Sequence, residues 1–172
     1  MIIKEKLVEA MNQQIRSEFS ASQQYIAIAI YFDGESLREL ANFFYRQSEE
    51  EHMHAMKFVR FLLEAGAKPL IPDLSEFKNE FASAADAVQY ALDQEVKVTN
   101  QINNLVSLAV AENDHISNNF LQWFVTEQVE EVDSMTTLLQ TIKHAGSSLL
   151  LVEDFVRRNM QMAATTAGTT AE

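Results

Sequence analysis

Apolar residues recur at alternating steps of four and three through four long stretches of the chain, the spacing of helices that each bury one face. The first seam reads Leu7, Met11, Gln14, Glu18, Ala21, Tyr25, Ile28, Phe32. The second reads Leu37, Ala41, Phe44, Ser48, Glu51, Ala55, Phe58, Leu62. Ala84, Val88, Ala91, Glu95, Val98, Ile102, Leu105 and Ala109 make the third; Leu121, Phe124, Gln128, Glu131, Met135, Leu138 and Ile142 make the fourth. Helix breakers fall between these stretches. Asp33-Gly34-Glu35-Ser36 closes the first, with Ser36 placed to cap the next helix. Gly66 and Lys68-Pro69-Leu70-Ile71-Pro72-Asp73 close the second. Ala111 to His115 is a short turn, and Ala145-Gly146-Ser147-Ser148 ends the fourth. The pattern predicts helices over 4–32, 36–65, 84–112 and 116–144, and a shorter one over 149–160.

Short links make antiparallel neighbours, whereas the link over about 67–83 is long enough to run the height of a bundle. The expected fold is all-α: a four-helix bundle of two hairpins, one long crossover and a short fifth C-terminal helix. Residues 1–161 are expected to form one domain. The small, repetitive segment 162–172 is expected to be a disordered tail.

Each apolar seam is interrupted near its middle by an acid or an amide. An unpaired buried carboxylate costs several kcal/mol, so it is normally protonated or paired. No Lys or Arg occupies these seams. An internal repeat sharpens the point: Glu18 to Glu51 and Glu95 to Gln128 are both 33 positions apart. A shift of 77 carries Glu18 onto Glu95, Glu50 onto Glu127, Glu51 onto Gln128 and His54 onto Glu131. Residues three apart share a helix face, so Glu51 with His54, and Gln128 with Glu131, reach one central space. A metal ion supplies the missing positive charge most economically. Oxygen-rich donors with one imidazole suit iron or manganese better than zinc, and Glu51 is placed to bridge two ions.

Composition narrows the function further. The chain has 172 residues, no cysteine and a formal charge of −12. That charge argues against a nucleic-acid or anionic-membrane partner, and the missing thiols exclude disulfides, thiolate metal sites and a Cys nucleophile. Without an export signal or a membrane span, a cytoplasmic location is expected.

Three stretches carry a family resemblance: Gln14-Ile15-Arg16-Ser17-Glu18-Phe19-Ser20-Ala21-Ser22-Gln23-Gln24-Tyr25; Glu50-Glu51 leading to His54-Ala55-Met56-Lys57-Phe58; and Phe120 through Glu131. In this order and spacing the chain resembles the bacterial non-haem ferritins over about residues 4–160. The resemblance implies a ferritin-like fold with a ferroxidase centre. One iron would be held by Glu18, Glu51 and His54; a second by Glu51, Glu95 and Glu131, with Gln128 nearby. A third position would match Glu50, Glu127 and Glu130. Tyr25 falls where the family has a tyrosine beside the centre and Trp123 where it has a tryptophan, although packing alone accounts for Trp123. The resemblance further implies Fe2+ oxidation by dioxygen or hydrogen peroxide and storage of ferric mineral in a shell of 24 subunits.

Related families fit less well. Haem-binding bacterioferritins carry a Met directly after the bridging glutamate, where this chain has His52, so no haem is expected. Rubrerythrins need a cysteine-bound iron, and mini-ferritins lack the inner ligand set. A di-iron oxidase acting on an organic substrate and a purely structural bundle are the remaining alternatives. His52 and His115 are expected at the surface, His144 at a helix C-terminus, and Met11, Met53, Met56 and Met135 as gap-fillers. Asp73, Glu76 and Glu80 are expected to be solvated.

Overall fold

A computed structural model of the chain describes residues 1–160 except 72 and 75; the expected tail lies outside the described residues. Four long helices, α1 (Glu5–Gly34), α2 (Arg38–Glu64), α3 (Ala84–Ala111) and α4 (His115–Ala145), form the bundle. A short α5 (Leu149–Phe155) follows and widens into a π-type turn over Val156–Met160. Every residue of the four seams is buried, so the periodicity names the faces that meet.

The first three long helices end by the same device. A residue in the left-handed region turns the chain, and an amide five positions on returns to the helix. Ser36 (φ 62°), Gly66 (φ 74°) and Asn113 (φ 53°) take that conformation. The closing bonds are Leu37 N to Phe32 O (2.9 Å), Ala67 N to Leu62 O (2.8 Å) and Asp114 N to Ala109 O (2.8 Å). Only Gly66 also lacks room for a side chain: a Cβ there would lie 3.2 Å from the Met1 nitrogen.

Ser36 is therefore not the cap expected of it. No side chain caps α2 from its own N-cap residue, Leu37. The Glu153 carboxylate of α5 does so instead, accepting from Glu39 N (3.0 Å) and Leu40 N (2.9 Å). Elsewhere the caps are local. Ser83 accepts from Asp86 N at the start of α3, and Asp114 accepts from Ser117 N (3.0 Å) at the start of α4 while also binding Lys4 N (2.7 Å).

The crossover is pinned along α1. Leu70 N donates to Asn12 Oδ1 (2.7 Å), and Gln24 makes a two-way bond with the Lys78 backbone (2.7 and 2.9 Å). Twelve helical residues separate those anchors, about 18 Å of travel. Its two ends reach different apolar clusters. One cluster contains Leu7, Ile15, Phe58, Leu62, Ile102 and Phe124. The other contains Tyr25, Phe32, Phe44, Val88 and Leu138, sealed by Val152 and Val156 from the C-terminal piece. Between these two halves of the core lies a polar layer.

Candidate metal centre

All four long helices contribute to that layer at the height where their apolar seams are interrupted. α1 brings Glu18, α2 brings Glu51 and His54, α3 brings Glu95, and α4 brings Gln128 and Glu131; all are buried. One donor atom each from Glu18, Glu51 and His54 lie within 4.8 Å of one another. The same is true of Glu51, Glu95 and Glu131. Glu51 belongs to both sets, the position the i, i+3 spacing and the internal repeat assign to it.

Hydrogen bonds orient these donors without exhausting them. Gln14 Nε2 donates to Glu18 Oε1 (2.9 Å), leaving Glu18 Oε2 buried with no hydrogen-bond partner. His54 Nδ1 lies 3.3 Å from Glu51 Oε2. Tyr25 OH donates to Glu95 Oε1. Gln128 Nε2 donates to Glu95 Oε2 (3.1 Å), the Glu95 carbonyl (3.2 Å) and Thr99 Oγ1 (3.1 Å). The Gln128 amide thus holds α3's carboxylate in place. Thr99, missed in the sequence, completes this arrangement one turn beyond Glu95, its hydroxyl returning to the Glu95 carbonyl at 2.8 Å.

The electrostatics are those of a site lacking positive charge. Burial pushes the Glu18 carboxyl up to about 7. Glu51 and Glu131 are driven well above the usual carboxylate range, by burial first and then by neighbouring carboxylates, Glu95 foremost. Burial also raises Glu95, and it raises the Tyr25 phenol beside it. Burial lowers His54 to about 4, keeping its imidazole neutral and able to ligate. Among the described residues no Lys or Arg pairs with Glu18, Glu51, Glu95 or Glu131. A divalent cation would replace the protons that such carboxyls otherwise retain.

The outer acids behave differently. Glu50 and Glu130 are exposed and Glu127 is half-buried. Glu127 comes together with His54 and Glu131, within 4.8 Å, rather than in a trio with Glu50 and Glu130. All three outer acids line one cavity, and Gln47 Nε2 donates to Glu50. Trp123 is 40% exposed, so core packing does not account for it. Its ring stands edge-on to His54 at 5.4 Å and carries Lys57 Nζ 4.0 Å from its centroid. Neither Lys57 nor Arg46, which lies near Glu50, was legible as part of the site, because both fall off the apolar seams.

The remaining expectations divide. His52 and His115 are exposed, His144 lies in the last turn of α4, and Asp73, Glu76 and Glu80 are exposed. Met11 and Met135 fill the core and Met56 is half-buried, but Met53 is 68% exposed and fills nothing.

Known proteins with this arrangement decide the family. The ferritin-like domain family matches residues 8–145. The chain belongs to the ferritin family. Ferritin BfrB of Mycolicibacterium smegmatis is 51% identical over 153 residues, 89% of this chain and 84% of that one. A Mycobacterium tuberculosis relative named bacterioferritin BfrB is 42% identical over 165 residues, 96% and 91% of the two chains. An open pore ferritin from the archaeon Archaeoglobus fulgidus superposes with a TM-score of 0.88 at 36% identity, covering 91% of this chain and 98% of that one. The bundle, crossover and short fifth helix are thus a ferritin fold, and no helix among the described residues is long and apolar enough to cross a membrane.

Proposed function

We propose that the protein oxidises Fe2+ at the four-helix polar layer and stores the ferric product inside a hollow homo-oligomeric shell. One observation carries this reading: two buried three-donor groups that share Glu51, with no Lys or Arg paired to them among the described residues. Membership of an iron-binding family supports it. Iron is the substrate. Glu18, Glu51 and His54 would hold one Fe2+, and Glu51, Glu95 and Glu131 the other. Gln128 would act through Glu95, fixing its orientation.

The carboxylates favour the product, because ferric ion gains more from negative charge than ferrous ion does. Each Fe2+ gives up one electron, so a pair passes two to dioxygen or hydrogen peroxide. Tyr25, bonded to Glu95, would steady the second position. The outer acids Glu50, Glu127 and Glu130 would take a third iron in passing. Ferric ions hydrolyse in the cavity, releasing protons to solvent. The shell reading is 24 subunits, in the cytoplasm. The reading is also non-haem: the residue after Glu51 is His52, exposed and with its ring tilted against Phe19 at 5.4 Å.

The test is anaerobic addition of Fe2+ to the metal-free protein, then air, followed by ferric absorbance. Glu51→Ala, which removes the shared donor, is expected to slow the initial rate by about tenfold or more. A parent-like rate in that variant would refute the assigned centre.

A second reading rests on the cleft of about 410 Å3 beside His54, lined in part by Met53, Met56 and Trp123. An oxidase acting on an organic substrate needs such an opening. Native mass and iron content separate the two: a small species that never accumulates iron beyond its two-ion centre favours the oxidase.

A further inference from the structure

Glu50 and Glu127 stand between two clefts. The cavity of about 280 Å3 on one side is lined by Arg46, Gln47, Glu50, Glu127, Glu130 and Glu131. The cleft of about 410 Å3 on the other is lined by Glu50, His54, Lys57, Arg60, Trp123 and Glu127. The first side sets Arg46, and the second sets Lys57 and Arg60, against the same two acids. On the first side, Gln47 occupies Glu50 by donating to it, and Arg46 Nη2 is buried with no hydrogen-bond partner. On the second side, Lys57 is tethered over Trp123, and Trp123 stands against His54. Among the described residues no Lys or Arg forms an ion pair with the inner or the outer carboxylates, so Arg46 and Lys57 face Glu50 and Glu127 across the clefts they share with them.

We propose that Arg46 and Lys57 are fixed counter-charges that keep the outer acids Glu50, Glu127 and Glu130 a weak, rapidly exchanging stop for divalent cations. The inference rests on the metal-centre reading above and adds what sets the affinity of its rim. A cation arriving at Glu50 or Glu127 meets two positive groups, Arg46 with one guanidinium nitrogen buried and Lys57 held over the Trp123 ring. In a partly hydrated rim, one such unit charge weakens the binding of a dication by about tenfold. A cation at the inner pair is held instead by the buried donors of Glu18, Glu51, Glu95, Glu131 and His54. A weak stop lets cations pass between the clefts and the inner pair instead of collecting at the mouth. Arg46 and Lys57 touch no reacting atom, so they are positioning residues.

The experiment is a Mn2+ titration of the metal-free full-length protein at low ionic strength, counting free Mn2+ by its electron paramagnetic resonance signal. The parent is expected to bind two ions tightly and one weakly per chain. Arg46→Gln and Lys57→Met should each tighten the weak site by about tenfold and change the tight pair by less. Arg46→Lys and Lys57→Arg, which keep the charge, should match the parent, and added salt should shrink the differences. A role in packing alone would show no such rescue by charge. Weak-site affinity equal to the parent's in Arg46→Gln and Lys57→Met would overturn the proposal, as would equal tightening in the charge-keeping variants. Absence of the tight pair in the parent would instead defeat the metal-centre reading, and this inference with it.

Discussion

At the scale of the residue, a carboxyl that keeps its proton near neutrality makes the metal-free protein sensitive to pH. Glu18 stands at about 7 in the fold and near 4.5 in the unfolded chain. Between those values the folded state holds a proton that the unfolded state has released, so stability falls as pH rises. The benefit is fully present below about pH 4.5 and is lost on passing about pH 7. Glu51, Glu95 and Glu131 are shifted in the same direction. His54 opposes them, since its folded value of about 4 lies below 6.5 and it adds stability as pH rises between the two. Four carboxyls outweigh one imidazole. The metal-free Tm is expected to fall by about 5 °C or more between pH 5.5 and 8, and saturating Mn2+ should remove most of that fall. Glu18→Gln should flatten the profile. A metal-free Tm that climbs steadily over the same range, followed by calorimetry, would contradict the assigned proton-binding layer.

At the scale of the element, the seams were legible because an apolar face repeats over whole helices, so a misread boundary residue changes little. All their members are buried, including the acids that break the pattern. The start of α2 is less legible, since its capping partner is tertiary. Ser36 sits where a cap belongs, yet its left-handed backbone commits it to closing α1, and the cap of α2 arrives from Glu153, 114 positions away from Glu39. No local rule reaches that far. Arg46 and Lys57 are illegible for a related reason: flanking a seam looks the same in sequence whether the side chain is idle or faces a cleft. The Glu153 cap carries its own prediction. Glu153→Ala should cost about 1 kcal/mol by leaving two amides at the α2 N-terminus unanswered. Ser36→Gly should cost nothing measurable, because glycine accepts φ 62° without strain. Denaturant melts of both variants check the pair; a larger loss from Ser36→Gly than from Glu153→Ala would restore the local cap.

At the scale of the whole molecule, the charge of −12 and the exposed apolar side chains point to different surfaces with different fates. Seven of the acids behind that charge, Glu18, Glu50, Glu51, Glu95, Glu127, Glu130 and Glu131, gather in the polar layer and at its mouth, and without them the balance is −5. Residual acidity of that size is ordinary for a solvated surface. The exposed apolar residues are less ordinary. Leu150 and Leu151 on α5 are 78% and 66% exposed, although Val152 next to them is wholly buried. Ile30, Leu63, Val110 and Val129 add to the apolar surface of the isolated chain. Apolar side chains projecting from an otherwise docked helix suit burial by other subunits. In the shell proposed here, α5 is held to the bundle through Val152 and Glu153, and the turn after it through Val156, while Leu150 and Leu151 face neighbouring chains. Leu151→Glu should then yield a smaller species on size-exclusion chromatography with light scattering, while its helical circular dichroism and its two tight Mn2+ sites per chain persist. The same variant should oxidise Fe2+ and then precipitate ferric product, because in the proposed function oxidation needs one chain's polar layer and storage needs the assembly. If Leu151→Glu keeps the parent's native mass, the face of α5 is not an assembly contact. If it loses both tight sites together with mass, the metal layer depends on neighbouring subunits and is not the property of a single bundle.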